Sequence, residues 1–263
     1  MMTGHYWRHN SRPLAYGAAG VGLLLIVWQV LATGPLSGTS LPTVGQALSA
    51  LGEMLGDGAF WEDTAVTAGT ALIGLAASIV VGVVLGILIG TSQLLRFATS
   101  AVLEFLKPIP PIVILPIVVL ILGPTTEMTI VLAIIGCAIP ILIQTVAGVF
   151  DVDPVRTDTA RSYGMGQVEI LGRVILPGAS PFIATAIRVS APAALVVTVV
   201  AGLLGGGPGL GQSLYQAQTA GDSARMYALI IVLGVLGMAF QAASQLVEAK
   251  ALHWHESKRE VQA

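Results

Sequence analysis

The sequence predicts an all-α integral membrane protein, and three observations support this: its composition, its long apolar runs and the placement of its charges. Hydrophobic residues make up 55% of the 263 residues and charged residues only 10%, against about 25% charged in an ordinary soluble domain. Twelve basic and fourteen acidic side chains cannot cover the surface of a soluble fold of this length. The composition therefore excludes a soluble enzyme, a disordered chain and a nucleic-acid binder with a basic face.

Six stretches of the chain carry no Asp, Glu, Lys or Arg. Each is near or above the roughly 20 residues that a helix needs to cross a lipid membrane. Their apolar residues are continuous rather than alternating, which disfavours a β-barrel. The sequence predicts one transmembrane domain over 1–263 with six spanning helices, at about 14–33, 65–92, 103–123, 127–149, 183–204 and 226–248.

Two of the charge-free stretches are longer than one span. After the first span, residues 44–55 are expected to form a short helix at the surface. After the fifth, the glycines of 205–209 end the helix, and we expect a flexible turn followed by a polar loop. The first span itself is longer than the apolar core of a secretory signal peptide, which predicts that it is not cleaved.

The basic residues predict the orientation of the spans. If the N-terminus is cytoplasmic, ten of the twelve basic residues fall on the cytoplasmic side, and only Arg225 is clearly outside. Arg188 lies near the inner end of the fifth span, and the outer loops carry acidic residues instead. Because basic residues favour the cytoplasmic side, both termini are predicted to be cytoplasmic.

The residues needed for catalysis or metal binding are missing from the predicted spans. All four histidines lie in the terminal tails, and Cys137 is the only cysteine. These residues offer no Ser/His/Asp set and no Cys-based metal site. Residues 206–213 have the glycine spacing of a phosphate-binding loop, but Gln212 stands in place of its lysine. We therefore expect no catalytic residue, no metal site and no ATP bound by this chain itself.

The connection between the fourth and fifth spans, at about 151–177, is predicted to hold two short helices. Asp153-Pro154 is typical of a helix start, and Gly164 can end that helix in a left-handed conformation. A second, more amphipathic helix is predicted over 167–176, ending before Pro177. Two interpretations fit these residues: a structured loop that joins two spans, or a docking element for a soluble partner.

A family resemblance bears on that choice. The residues from Asp158 to Gly164, followed after nine residues by Val-Ile-Leu-Pro at 174–177, resemble the E-A-A-x-x-x-G…I-x-L-P signature of the permease subunits of binding-protein-dependent ABC importers. Asp158 and Thr159 stand where the signature has Glu and Ala. Segments 107–111 and 209–211 resemble the nitrate/sulfonate/taurine branch of that family, and the likeness runs from about residue 14 to about residue 250.

The resemblance implies a non-catalytic transport subunit in the bacterial cytoplasmic (inner) membrane. Its implied partners are a second permease subunit, expected to be a second copy of this chain, two cytoplasmic ATPases that carry ATP and magnesium, and an extracytoplasmic solute-binding protein. No cofactor is implied on this chain. The residues implied to couple it to the ATPase are Asp158, Thr159, Ala160, Arg161, Gly164, Leu176 and Pro177.

The polar residues inside the predicted spans are candidates for contact with a passing solute. They are Thr129, Gln144, Arg188, Ser190 and Thr198. Family analogy favours a small organic or inorganic anion, such as a sulfonate, taurine or a nitrate-like solute. Two alternatives remain open: a vitamin precursor or another neutral or cationic solute, and, in another class, an ATP-independent channel or membrane scaffold without an ATPase partner.

Overall fold

The computed structural model describes residues 11–252, with side chains from residue 16 onward, and every element in this range is helical. The tails that hold the four histidines lie outside the described residues. The elements are α1 (Ser11–Thr33), α2 (Val44–Leu55), α3 (Gly58–Thr91), α4 (Gln93–Leu106), a 3₁₀ turn (Pro111–Ile114), α5 (Leu115–Leu122), α6 (Thr126–Phe150), α7 (Pro154–Ser162), α8 (Gln167–Ile170), a π turn (Leu171–Ile175), α9 (Leu176–Gly205), α10 (Leu210–Thr219) and α11 (Ser223–Ala251).

Five of the described helical segments are long and apolar enough to cross a membrane: α1, α3, α6, the run Gln167–Gly205 and α11. Where the sequence predicts a span over about 103–123, the structure has a pair of helical segments, Gln93–Leu106 and Pro111–Leu122, bent by 85°. The break follows from Pro108, Pro110 and Pro111. Proline has no backbone N–H, and it disfavours the helical conformation in the residue before it.

Small residues on α3 let it pack closely against α6. They recur every fourth residue, and a Cβ added to Gly82 or Gly86 would lie 2.8 Å from the Cβ of Ile141 or 2.5 Å from that of Thr145. The Ser78 hydroxyl donates a hydrogen bond of 2.7 Å to the carbonyl of Gly74 on its own helix. Without a hydrophobic effect between helices in lipid, such close backbone approach is what holds them together. The α6 helix packs in turn against α9.

The second helix of the 151–177 connection does not end at Pro177, contrary to the sequence prediction. Residues Gln167–Gly205 run as one helical segment through the π turn. The Leu176 N–H donates to the carbonyl of Leu171, five residues back instead of four. Because this wider turn leaves room for the ring of Pro177, the helix passes the proline without stopping.

The glycine-rich segment after α9 is packed, and the prediction of a flexible turn is wrong. A Cβ added to Gly211 would lie 2.3 Å from the carbonyl oxygen of Val199 on α9. Gly209 has a φ of +113°, and the Leu210 N–H after it donates a 2.9 Å hydrogen bond to the Thr67 hydroxyl on α3. The expected polar loop is the helix α10, whose free first N–H is satisfied by that contact.

The predicted surface helix over 44–55 is confirmed as α2, with the same ends. A reciprocal capping box between Thr43 and Gln46 starts it. It packs against α11, and its Met54 belongs to an apolar cluster with Phe60 and Leu229. The Trp28 indole of α1 donates to the carbonyl of Pro42, so α1 is tied to the start of α2.

Candidate functional sites

Helix α7 has the start and the end that the sequence predicts. The Asp153 carboxylate accepts a 2.8 Å hydrogen bond from the Val155 N–H, and Pro154 opens the helix. At the other end, the Gly164 N–H donates to the carbonyl of Arg161 at 2.9 Å, and the Met165 N–H donates to that of Ala160 at 3.1 Å. These two bonds form a Schellman motif, for which Gly164 adopts a φ of +82°.

The residues of α7 with a predicted coupling role do not share one face. Asp158 and Arg161 form an exposed ion pair of 2.7 Å, and the exposed Thr159 donates its hydroxyl to the carbonyl of Val155. Ala160 is only 7% exposed and therefore faces the protein rather than a free surface. The structure thus separates Ala160 from its neighbours in the motif.

Gly164 and the pair Leu176 and Pro177 lie on either side of α8 and the π turn. Gly164 is exposed, and a Cβ added there would meet nothing within 4 Å. Leu176 and Pro177 are half-buried at the start of α9. The first half of the sequence motif therefore ends in an exposed turn at Gly164, and the second half lies at the start of the long helix α9.

Three large apolar side chains in this connection are exposed. They are Val155 at 68%, Tyr163 at 84% and Val168 at 84%. The sequence analysis did not single out any of them as a contact residue. Tyr163 could have been predicted as a contact residue, because aromatic residues are common at protein interfaces and this one follows a short polar helix.

A cavity of about 410 Å³ lies where the 3₁₀ turn, α6 and α9 meet at the end of α4. Gln144 and Ser190, two of the predicted pathway residues, line it. Pro111 and Pro140 also line it, so the cavity adjoins the proline positions of two helices. Its volume is in the range of small-molecule binding pockets. The remaining wall is mostly apolar.

The other three predicted pathway residues do not line this cavity. Thr129 is buried, and its hydroxyl donates to the carbonyl of Thr125 on its own helix. Thr198 is also buried, and within the described range its hydroxyl has no hydrogen-bond partner. The Arg188 guanidinium forms a 3.2 Å ion pair with Glu248, which links α9 to α11.

Two lining residues were missed as pathway candidates: Lys107 and Thr185. The positive charge of Lys107 predicts a position at the cytoplasmic end of its span. The proline-rich segment that follows it was the signal that could have found it, because a break in a span turns an end residue toward the interior. No comparable sequence feature next to Thr185 predicts that it lines the cavity.

Several charged residues predicted to lie outside the cell come together at the opposite end of the molecule. Glu53, Asp57, Asp222 and Arg225 line a small pocket of about 180 Å³ between α2 and the start of α11. The Ser213 hydroxyl of α10 donates to the carboxylate of Asp63 at the same end of α3. These charged residues thus lie at the ends of α2, α3 and α11, outside the apolar middle of the spans.

The binding-protein-dependent transport system inner membrane component family matches residues 82–253. The chain belongs to this family. It is 28% identical over 259 residues to the taurine transport system permease protein TauC of Escherichia coli, covering 95% of this chain and 93% of that protein. It is 27% identical over 249 residues to the nitrate import permease protein NrtB of Synechocystis sp., covering 88% and 90%.

A solved structure shows the same fold. It is a bacterial ABC transporter involved in the import of the acidic polysaccharide alginate, with a TM-score of 0.66 at 14% identity, over 90% of this chain and 92% of that one. Together the matches identify a multi-pass inner membrane permease of the nitrate/sulfonate/taurine branch. Such a permease is a non-catalytic transport subunit, and the ATPase activity lies on a partner chain.

Proposed function

We propose that this chain forms the translocation pathway for a small organic or inorganic anion, of the sulfonate, taurine or nitrate-like kind. The observation that carries the proposal is the cavity at the broken span, where Gln144 and Ser190 offer hydrogen-bonding groups in an otherwise mostly apolar wall. The solutes named for TauC and NrtB support the anionic class. Thr129, Arg188 and Thr198 stay predictions that the cavity does not support.

The same proposal assigns the 151–177 connection to contact with the ATPase. The rigidity and continuity of the helices support this assignment. Helix α7 is short and capped at both ends, so it can move as a rigid body when the ATPase moves. The helical run Gln167–Gly205 then leads without a break from the connection to Thr185 and Ser190 in the cavity wall. A movement of the docked loop would therefore tilt one wall of the pathway.

In the assembly that we propose, two copies of this chain pair in the membrane. Two cytoplasmic ATPases bind their 151–177 connections, and an extracytoplasmic binding protein delivers the solute to the end that carries Glu53, Asp57, Asp222 and Arg225. Both termini are then cytoplasmic, in agreement with the distribution of basic residues. Residues 1–263 act as one permease domain.

Association with the ATPase tests the coupling part. We expect the tagged chain to retain its cognate ATPase in a pull-down from detergent-solubilised membranes, and Gly164→Trp to abolish the retention. The new side chain would project into open space from a turn that already disfavours any side chain. Thr219→Trp, at the exposed end of α10, is the matched control.

Transport tests the rest of the proposal. Proteoliposomes with the permease, its cognate ATPase and its binding protein should take up an anion such as taurine or nitrate only when ATP is supplied. Uptake without ATP, together with no retained ATPase, would instead support a channel or scaffold. ATP-driven uptake of only a neutral or cationic solute would contradict the anionic substrate class but would still support the importer function.

A further inference from the structure

One charge lines the translocation cavity. Among the described residues that form its wall, only Lys107 is ionisable. The polar residues Gln144, Thr185 and Ser190 complete the hydrogen-bonding groups, and the other lining side chains are apolar or small. An anion that enters this wall loses part of its hydration, and the positive charge of Lys107 can compensate for that loss, whereas it would repel a cation.

The break in the third span places Lys107 at this wall. Lys107 is the C-cap residue that follows α4, and its N–H donates to the carbonyl of Leu103 at 3.0 Å. Pro108 and Pro110 follow, and the chain then turns by 85° into the next helical segment. Lys107 therefore lies at the bend between the two helical segments, where the end of α4 meets the cavity.

The counter-ion of Lys107 is one that a solute can replace. The ammonium pairs with Glu104, three residues earlier on the same helix, and the Glu104 side chain is 70% exposed. Exposed pairs of this spacing contribute little to stability because water screens them. The Lys107 side chain is itself 40% exposed. An anion that enters the cavity can therefore take the place of Glu104 without breaking a strong contact.

We propose that Lys107 is the specificity-determining contact of the pathway for an oxyanion, the shared chemistry of a sulfonate and a nitrate. Its ammonium binds one anionic oxygen, and Gln144 with Ser190 or Thr185 donates to the others. Glu104 neutralises the ammonium when the cavity holds no solute. This inference rests on the proposed function and adds to it the residue that selects the charge of the solute.

The test compares uptake with ATP hydrolysis in proteoliposomes of the full complex. With labelled taurine or nitrate, Lys107→Gln should lower the initial uptake rate by about tenfold or more, the size expected for one charge-assisted hydrogen bond. ATP hydrolysis stimulated by the loaded binding protein should stay unchanged, because Lys107 lies outside both the 151–177 connection and the outer pocket of Glu53, Asp57, Asp222 and Arg225. Lys107→Arg should restore most of the uptake.

Two further variants guard against a folding defect. Lys107→Met keeps the length of the stem without the charge and should behave as Lys107→Gln does, with an unchanged elution profile in size-exclusion chromatography. Arg96→Gln removes a positive charge from the same helix, where the guanidinium lies 4.6 Å from the centre of the Phe150 ring and outside the cavity wall. It should import at the wild-type rate.

Three results would overturn the inference. Wild-type uptake by Lys107→Gln would show that the charge is not used. An equal loss of uptake and of stimulated ATP hydrolysis, not rescued by Lys107→Arg, would show a structural role. A wild-type complex that imports a neutral solute and no anion would overturn both this inference and the anionic class in the proposed function, whereas the first two results leave that class intact.

Discussion

Glycine serves opposite purposes in the α3–α6 interface and in the turn after α7. On α3, Gly86 is glycine because a side chain would collide with Thr145 of the neighbouring helix. At Gly164 an added Cβ would meet nothing within 4 Å, and glycine is present because the backbone adopts a φ of +82°. The first region is held by contact between distant parts of the chain, whereas the second is shaped by its own hydrogen bonds.

The two regions therefore differ in how strongly neighbouring helices constrain them. Helices α3 and α6 approach so closely that neither can slide without a clash. Helix α7 keeps its shape without such support, and apart from Ala160 all of its residues are exposed or half-buried. In the proposed mechanism, this exposed and capped helix contacts the ATPase, and the run Gln167–Gly205 transmits the movement to the cavity wall.

The packed region should be the more fragile one. Gly86→Leu is expected to lower the free energy of unfolding by about 1–3 kcal/mol or more, since the added Cβ alone lies 2.5 Å from the Cβ of Thr145. Thermal unfolding in detergent, followed by the loss of the monodisperse peak in size-exclusion chromatography, measures the effect. Gly69→Leu on the same helix, where nothing lies within 4 Å, is the control. Equal midpoints for the two variants would remove the steric argument.

The exposed region should respond in binding rather than in stability. Tyr163→Ala is expected to weaken the affinity for the ATPase by about 2 kcal/mol, roughly 30-fold, if this 84% exposed ring is an anchor of the interface. Titration of the cognate ATPase onto the immobilised permease measures the affinity. Tyr215→Ala on α10, at the other end of the molecule, should bind as the wild type does. An unchanged affinity would exclude Tyr163 from the interface.

The conformational role of Gly164 can be separated from its lack of bulk. Gly164→Val should destabilise the end of α7 by about 1–2 kcal/mol, the cost of a left-handed conformation for a residue with a Cβ. Gly164→Asn should cost less, because asparagine tolerates this region. Faster hydrogen exchange at the Met165 amide, which donates to the Ala160 carbonyl, reports the effect. Equal exchange rates in both variants would contradict the argument.

The smallest expected effect is a gain in stability inside the packed region. The buried Thr198 hydroxyl has no partner within the described residues, so Thr198→Val should raise the free energy of unfolding by about 1 kcal/mol. The matched change Thr67→Val should lower it, because the Thr67 hydroxyl accepts the Leu210 N–H. Thermal midpoints compare the two. If Thr198→Val instead lowers uptake at an unchanged midpoint, Thr198 contacts the solute after all.

The elements that could be predicted from the sequence are those whose ends are set by nearby residues. Helix α7 begins at Asp153-Pro154 and ends at Gly164 because each of these residues acts on backbone groups within a few positions of itself. Helix α2 was predicted with its observed ends, since a glycine-rich and serine-rich segment precedes it and a charged segment follows. Local hydrogen bonding decides both cases.

The errors arose where the surrounding structure overrules the signal of a single residue type. The glycines at 205–209 predict a flexible turn, yet this segment packs against α3 and α9, and the helix α10 follows it. Pro177 predicts a helix end, yet the π turn carries the helix past it. Of the five predicted pathway residues, only Gln144 and Ser190 line the cavity, because polarity shows that a residue needs a partner and not which partner it finds.

By itself, the sequence determined an all-helical membrane protein with a capped connection of the importer-permease type, because apolar length and capping chemistry act within one segment of the chain. The tertiary structure alone decided that Gly86 faces Thr145, that Ala160 is buried and that Lys107 is the charge that lines the cavity. Each of these facts depends on how helices far apart in the sequence pack together, and on the bend that three prolines allow.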